Sequence, residues 1–233
     1  MNGNVEKQKT IITLLTGIAG CIFMAASDWL MIYGDTSFEG NLAWLTIGTA
    51  GISPVRNATA LLMAFPAVIF YSVALFGLKK LIKYEKNKKI YSGLTAVGMT
   101  PWLAIHLFYV MILYLFGWLM TGGYNDIAYK ACEALFDQFT WIIPLGEVFM
   151  LLPFIYWFII DLKNKTVFPK IMAINNPLII YIVLKAVTYI LPDKPFRLAF
   201  INGLMSESMA VWFAIFIIFL CCKNRDRDGK CTE

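Results

Sequence analysis

The sequence is poor in charge and in the residues that build common metal and catalytic sites. Only 15% of its residues are charged, it has one histidine, and its five cysteines form no CxxC pair. Neither an HExxH nor a GxSxG motif occurs. No hydrophilic stretch exceeds about 30 residues, which is too short for an extramembrane domain with its own core. These absences exclude a water-soluble domain, and they predict no cofactor and no metal site.

Long apolar segments are what the sequence has instead. Apolar residues make up 59% of the chain, and the mean hydropathy is +0.67. Each segment is near the roughly 20 residues that a helix needs to cross a hydrocarbon core. We predict an all-α, polytopic six-transmembrane-helix bundle forming one domain over residues 1–233. The predicted helices lie at about 11–33, 57–78, 90–120, 139–160, 171–191 and 200–222.

The positions of the basic residues predict the orientation of these helices. Lysines and arginines cluster before the first helix, between the second and third, after the fourth and after the sixth. Cytoplasmic loops carry such an excess, so both termini are expected in the cytoplasm. The short loops are compatible with a bacterial cytoplasmic membrane. The net charge of +5 is therefore a topology signal, and no nucleic acid is expected as a partner.

The largest basic cluster is a run of six lysines between residues 79 and 89. Two interpretations remain open for it. The run fixes the orientation of the chain, or it also binds anionic headgroups.

Helix boundaries and breaks are marked by proline and small polar residues. Ser53 and Pro54 are typical of an N-cap followed by the first helical position. Residues 124–137 alternate apolar and charged side chains at helical spacing, which predicts an amphipathic helix on the outer membrane surface. Residues 42–52 could form an interfacial or re-entrant segment. Asn176 and Pro177 predict a break in the fifth helix.

Five ionisable residues lie inside the predicted membrane segments. A charge at the bilayer centre is costly, so such residues usually face the bundle interior and pair. By position along their helices, four lie in the outer half and the histidine lies near the midplane. We expect a polar cavity there, with the lysine paired to one of the two glutamates. The residues are Asp28, His106, Glu147, Lys185 and Glu207.

Alternatives remain for these residues. The ion pair could serve only to fix helix packing, assisted by Asn202, Ser206 and Ser208 as hydrogen-bonding groups. His106 could carry a proton beside a carboxylate, ligate a metal together with carboxylates, or be a satisfied polar residue.

Two short motifs in the first half of the chain carry a family resemblance. The segment 27–35 reads SDWLMIYGD, and SPVR opens the second helix, followed by His106 in the third. These features resemble an uncharacterised family of small bacterial six-helix membrane proteins. That family has no established activity, so the resemblance implies no reaction. It selects Asp28, Arg56 and His106.

We expect a membrane protein that binds or acts on a small amphiphile or lipid. His106, Glu147 and Glu207 are the candidates for acid–base catalysis. The candidates for ligand binding are Asp28, Arg56, Lys185, Asn202 and Ser206. Whether the protein is an enzyme stays open. The alternatives are a proton-coupled transporter and a non-catalytic membrane subunit whose ion pairs are structural.

Overall fold

A computed structural model describes residues 2–33, 53–139, 141–192 and 195–228. A few side chains within these ranges, that of His106 among them, lie outside the described part. The segment 42–52, predicted to be interfacial or re-entrant, also lies outside the described residues.

The described chain is helical. Two short 3-10 helices, Leu78–Leu81 and Lys170–Asn175, precede the third and sixth α-helices. The seven α-helices of the described residues are α1 Asn2–Ile32, α2 Pro54–Gly77, α3 Glu85–Thr121, α4 Asn125–Phe139, α5 Ile142–Leu162, α6 Pro177–Thr188 and α7 Pro195–Asp228.

The predicted cap at Ser53 is confirmed, and a second cap lies at Asn176, where a helix break was predicted. The Ser53 hydroxyl accepts a hydrogen bond from the backbone N–H of Val55 at 3.3 Å, with Pro54 in the first helical position. Asn176 does the same for Leu178 at 3.0 Å, with Pro177 following it. The break in the fifth predicted helix therefore has the local cause that the sequence indicated.

Five helices of the described residues are long and apolar enough to cross a membrane, and the chain is a multi-pass helical membrane protein. The predicted helix at 171–191 is different, because its α-helical part is the 12-residue α6. The residue before a proline is disfavoured in the α region, and Asn176 is extended. Residues 170–175 consequently form a separate 3-10 helix.

Small residues allow α1 and α2 to pack closely as an antiparallel pair. Gly17 lies opposite Ala74, and Gly20 lies against the backbone of Ala67. Glycine and alanine at helix contacts are typical of membrane proteins, because they let backbones approach. The α7 helix covers the same face of α1, where the ring of Phe213 contacts Gly17.

The other helices extend this core. The α5 helix packs against α3, and a cluster of buried aromatic rings, including Tyr91, Trp157 and Trp212, joins them to α7. The predicted amphipathic helix corresponds to α4, whose buried Ala128, Cys132 and Phe136 belong to one cluster with side chains of α3. Its location at the membrane surface stays a prediction.

The two ends of the bundle are defined by contacts between distant segments. At one end, the loops before α3 and after α5 pair, with backbone hydrogen bonds from Lys83 to Lys165 and from Val167 to Leu81. At the other end, the ring of Trp29 near the end of α1 lies 5.1 Å from that of Phe196 at the start of α7. Several predicted site residues lie at this second end.

Candidate functional site

A groove runs along α1, between the start of α2 and the first half of α7. Its volume is about 750 Å³. Most of the lining is apolar or aromatic, and one basic and one acidic residue, Arg56 and Glu207, complete it. From Ile22 to Tyr33 it follows α1 for about 16 Å at 1.5 Å per residue, roughly half of a 30 Å hydrocarbon core. The lining residues are Ile22, Ala25, Ala26, Trp29, Leu30, Tyr33, Arg56, Phe196 and Glu207.

Arg56 occupies the end of the groove where α1 stops. Its Nη2 donates hydrogen bonds to the backbone carbonyl of Trp29, at 3.4 Å, and to that of Tyr33. These carbonyls belong to the last turn of α1, where a cation is favourable. A guanidinium has five N–H donors, and both contacts use the same nitrogen. The side chain is thus fixed at the groove while donors remain for a ligand.

Glu207 enters the groove from α7 and lies beside Trp29. A Cβ atom placed on Gly203 would lie 3.1 Å from Glu207 Oε1 and 3.4 Å from Trp29 Nε1. The absence of a side chain at Gly203 therefore makes room for the carboxylate and the indole. The other carboxylate oxygen of Glu207, Oε2, is buried and has no hydrogen-bond partner among the described residues. Trp29 links the two ionisable groups, its carbonyl facing Arg56 and its indole facing Glu207.

A second group of polar side chains lies behind the groove. Asp28 is only 6% exposed, and it is close enough to both Glu207 and Tyr71 for electrostatic interaction. Ser206 is buried near the Tyr71 hydroxyl. Ser27 donates a hydrogen bond to the Ala60 carbonyl at 2.7 Å, which fixes α1 against α2. The structure therefore brings Asp28, Ser206 and Glu207 near one another, and Arg56 lines the same groove as Glu207.

Three predicted site residues are placed differently. Glu147 is exposed on α5, and its described neighbour is Tyr109 of α3. Lys185 is exposed on α6, with its ammonium 5.8 Å from the ring centroid of Tyr181 in the same helix. Asn202 donates to the carbonyl of Leu198 one turn earlier, at 2.8 Å. None of the three lines the groove.

The predicted ion pair of Lys185 with Glu147 or Glu207 is wrong. Among the described residues the only ion pair is the exposed one between Lys88 and Glu85, at 2.6 Å. The physical reason is the rotation of α6 and α5, which turns the side chains of Lys185 and Glu147 outward on different helices, away from Glu207.

His106 lies in α3, but its side chain is outside the described part, so its role as a proton carrier stays a prediction. No group of three or more His, Cys, Asp or Glu side chains that could hold a metal occurs among the described residues.

Two buried polar side chains were missed by the sequence analysis. Asp161, at the end of α5, is 1% exposed and accepts a hydrogen bond from the Thr166 hydroxyl. Asn57 is fully buried in α2 and donates to the Leu113 carbonyl at 3.3 Å, while its Oδ1 has no partner in the described structure. Both stand at the ends of predicted helices, where a polar residue is ordinarily solvated. The partner of Asn57 is distant in the chain, whereas Thr166 lies five residues after Asp161, in the loop that pairs with the segment before α3.

Comparison with known proteins assigns the chain to a family but gives no activity for it. Neither a curated protein nor a solved structure matches the chain. The expectation of an uncharacterised family is confirmed, and the similarity extends well beyond the first half of the sequence, where the short motifs lie. The match covers residues 1–223, and the chain belongs to a family of unknown function, DUF6796.

Proposed function

We propose that the protein binds a small amphiphile, such as a membrane lipid or another molecule with an anionic head and an apolar chain, in the groove along α1. The observation that carries this proposal is that the groove is mostly apolar and has an arginine held in place at one end. The apolar chain would lie against Ile22, Ala25 and Ala26, and the head would lie at Arg56.

The lining favours this ligand over a small polar solute. Ligand sites are mostly apolar, with a few polar groups that orient the ligand. Here the aromatic rings of Trp29, Tyr33 and Phe196 surround the end nearest Arg56. Aromatic and basic side chains at this position are typical of the membrane interface, where lipid headgroups lie.

Arg56 supplies recognition of an anionic head. A guanidinium binds carboxylates and phosphates through parallel hydrogen bonds, and its two contacts to α1 hold it in place before a ligand arrives. Glu207 lies deeper, beside Trp29, and is the group in this groove suited to give or take a proton. Asp28 lies close enough to Glu207 to interact with it electrostatically.

The orientation of the groove is part of the proposal. With both termini in the cytoplasm and six crossings, Arg56 lies at the outer leaflet. The paired basic loops and the start of α7 lie at opposite ends of the bundle, which supports a crossing between residues 169 and 195. The 3-10 helix and α6 together would extend about 30 Å, enough for that crossing. We place the protein in a bacterial cytoplasmic membrane.

Photolabelling tests the proposal. The purified protein in detergent is incubated with a diazirine-bearing fatty acid, irradiated and mapped by peptide mass spectrometry. We expect labelling at 22–33 and 196–207, because these segments line the groove. Ala26→Trp fills the groove and should abolish this labelling. Ala96→Trp is the matched control, since Ala96 is exposed on α3 and lies outside the groove.

The head is tested separately with a fatty alcohol that carries the same diazirine chain. Arg56→Gln should lower labelling by the acid and leave labelling by the alcohol unchanged. Arg56→Lys, which keeps the charge, should retain part of the preference. Uniform labelling of all helices, or labelling of α1 that persists in Ala26→Trp, would contradict the proposal.

A further inference from the structure

A second pocket lies at the opposite end of the bundle, where the lysine run folds back on itself. Its volume is about 430 Å³. It is formed by the 3-10 helix Leu78–Leu81 and the first two turns of α3. Its lining residues are Lys79, Lys80, Glu85, Lys88, Lys89 and Ser92.

Both walls of this pocket are held in place by contacts with the rest of the bundle. Leu81 and Ile82 are buried, and the Leu81 carbonyl accepts a hydrogen bond from Val167 in the loop after α5. On the other wall, Asn87 donates to the Tyr156 hydroxyl at 2.8 Å. The lysines on both walls are therefore carried by fixed elements, and the pocket does not depend on a flexible loop.

The charge inside the pocket is unbalanced. Four lysines and one glutamate line it, and the glutamate pairs with Lys88 at 2.6 Å. Three positive charges are left without a carboxylate among the lining residues. Like charges gathered in a small volume repel one another and attract a counter-ion. In addition, Tyr84, the residue that caps α3, provides no side-chain hydrogen bond to the helix N-terminus, which itself favours an anion.

We propose that this pocket binds a phosphate group. Ammonium groups bind phosphate as point charges, and the Ser92 hydroxyl adds a hydrogen-bond donor. The phosphate has two sources, the head of an anionic phospholipid and free phosphate in solution. The proposal concerns a defined site, unlike a general attraction of basic residues to a membrane, and it is independent of the groove on α1.

The lysines outside the pocket provide a matched control. Lys86 is exposed in the same run, and Lys163 lies in the paired loop, but neither lines the pocket. We compare Lys80→Gln/Lys89→Gln with Lys86→Gln/Lys163→Gln, which removes the same charge. Both doubles alter exposed side chains, and their unfolding temperatures in detergent should equal that of the parent.

Binding is measured by microscale thermophoresis, with Ala26→Trp as the parent so that the α1 groove is filled. The probes are dioctanoyl phosphatidic acid, dioctanoyl phosphatidylcholine and inorganic phosphate. At about 1 kcal/mol per lysine, the pocket double should weaken binding on the order of 30-fold, and the control double by much less. Glu85→Gln should strengthen binding about fivefold, because it releases Lys88.

The outcomes separate the sources. If the pocket binds phosphatidic acid but not inorganic phosphate, its ligand is a lipid headgroup. If it binds both with similar affinity, the phosphate group alone is recognised. Equal losses in the two doubles would overturn the proposal, because they would indicate diffuse attraction. So would the absence of binding by either anionic probe, or equal affinity for phosphatidylcholine.

Discussion

A close contact of three helices at Gly17 gives a stability prediction with a definite sign. Gly17 of α1 faces both α2 and α7. A Cβ atom added there would lie 2.5 Å from Ala74 Cβ and 2.7 Å from the Phe213 ring. Optimal carbon–carbon separations are about 3.5–4.0 Å. The Cβ of Ala74 is fixed to its backbone and cannot rotate away, so Gly17→Ala must push the helices apart.

The size of the effect follows from two opposing terms. Overpacking a well-packed interior costs about 1–3 kcal/mol. Alanine is better than glycine in a helix by about 1 kcal/mol, which offsets part of that cost. Because the Ala74 Cβ cannot move away, the packing cost is taken from the upper part of that range, about 2–3 kcal/mol, and Gly17→Ala should destabilise the protein by about 1–2 kcal/mol. At about 2–4 °C per kcal/mol for a chain of this size, the unfolding temperature should fall by several degrees.

Gly93→Ala is the matched control. Gly93 also lies within a helix, α3, but a Cβ atom there would meet nothing within 4 Å. The helix-propensity term then acts alone, and the unfolding temperature should stay the same or rise. The assay is thermal unfolding in detergent followed by tryptophan fluorescence. Equal unfolding temperatures for Gly17→Ala and Gly93→Ala would refute the close approach of α1 to α2 and α7.

Four further predictions follow from other contacts. Lys185→Met should leave thermal stability in detergent unchanged, because the ammonium forms no ion pair with any described residue. A loss of several degrees would instead support the predicted pair with Glu147 or Glu207. Burial raises the pKa of the Cys132 thiol to about 11, so maleimide should label the exposed cysteines of α7 at pH 7 and spare Cys132 in the folded protein. The stability that this thiol contributes is complete below its unfolded pKa of about 9 and is lost as pH rises towards 11. In a Cys132→Ser variant the unfolding temperature should therefore depend less on pH between 9 and 11. Asp161→Ala and Thr166→Val should each destabilise by about 1–3 kcal/mol, and their double-mutant cycle should give a coupling of at least about 0.5 kcal/mol; additive losses would argue against the buried hydrogen bond.

Much of the fold could be predicted from local sequence, because its determinants are local. Length and hydropathy predict membrane helices, since a backbone in lipid must satisfy its own hydrogen bonds. Two helix starts are fixed by hydrogen bonds between residues only two positions apart in the chain, at Ser53 with Pro54 and at Asn176 with Pro177. The helical spacing of residues 124–137 predicts a helix that the structure confirms as Asn125–Phe139.

The candidate site was predicted in part for the same reason. Asp28, Arg56 and Glu207 stand out as charges in apolar surroundings, and a charge there needs a special environment. Glu147 and Lys185 satisfied the same criterion, yet both are exposed, because hydropathy locates a residue along a helix and does not say which face it occupies. The hydrogen-bond partners of Arg56 are backbone carbonyls at the end of α1, and every residue type has such a carbonyl, so the sequence cannot identify them.

The sequence by itself determined the membrane class, the positions of most helices and the ionisable residues worth testing, since each depends on composition within about 20 residues. Only the tertiary structure decided that Arg56 and Glu207 share a groove, that Lys185 is apart from them, and that the lysine run forms a pocket. These arrangements depend on the rotation and register of helices distant in the chain. Close packing at residues such as Gly17 sets that register through contacts between helices, which no single helix specifies.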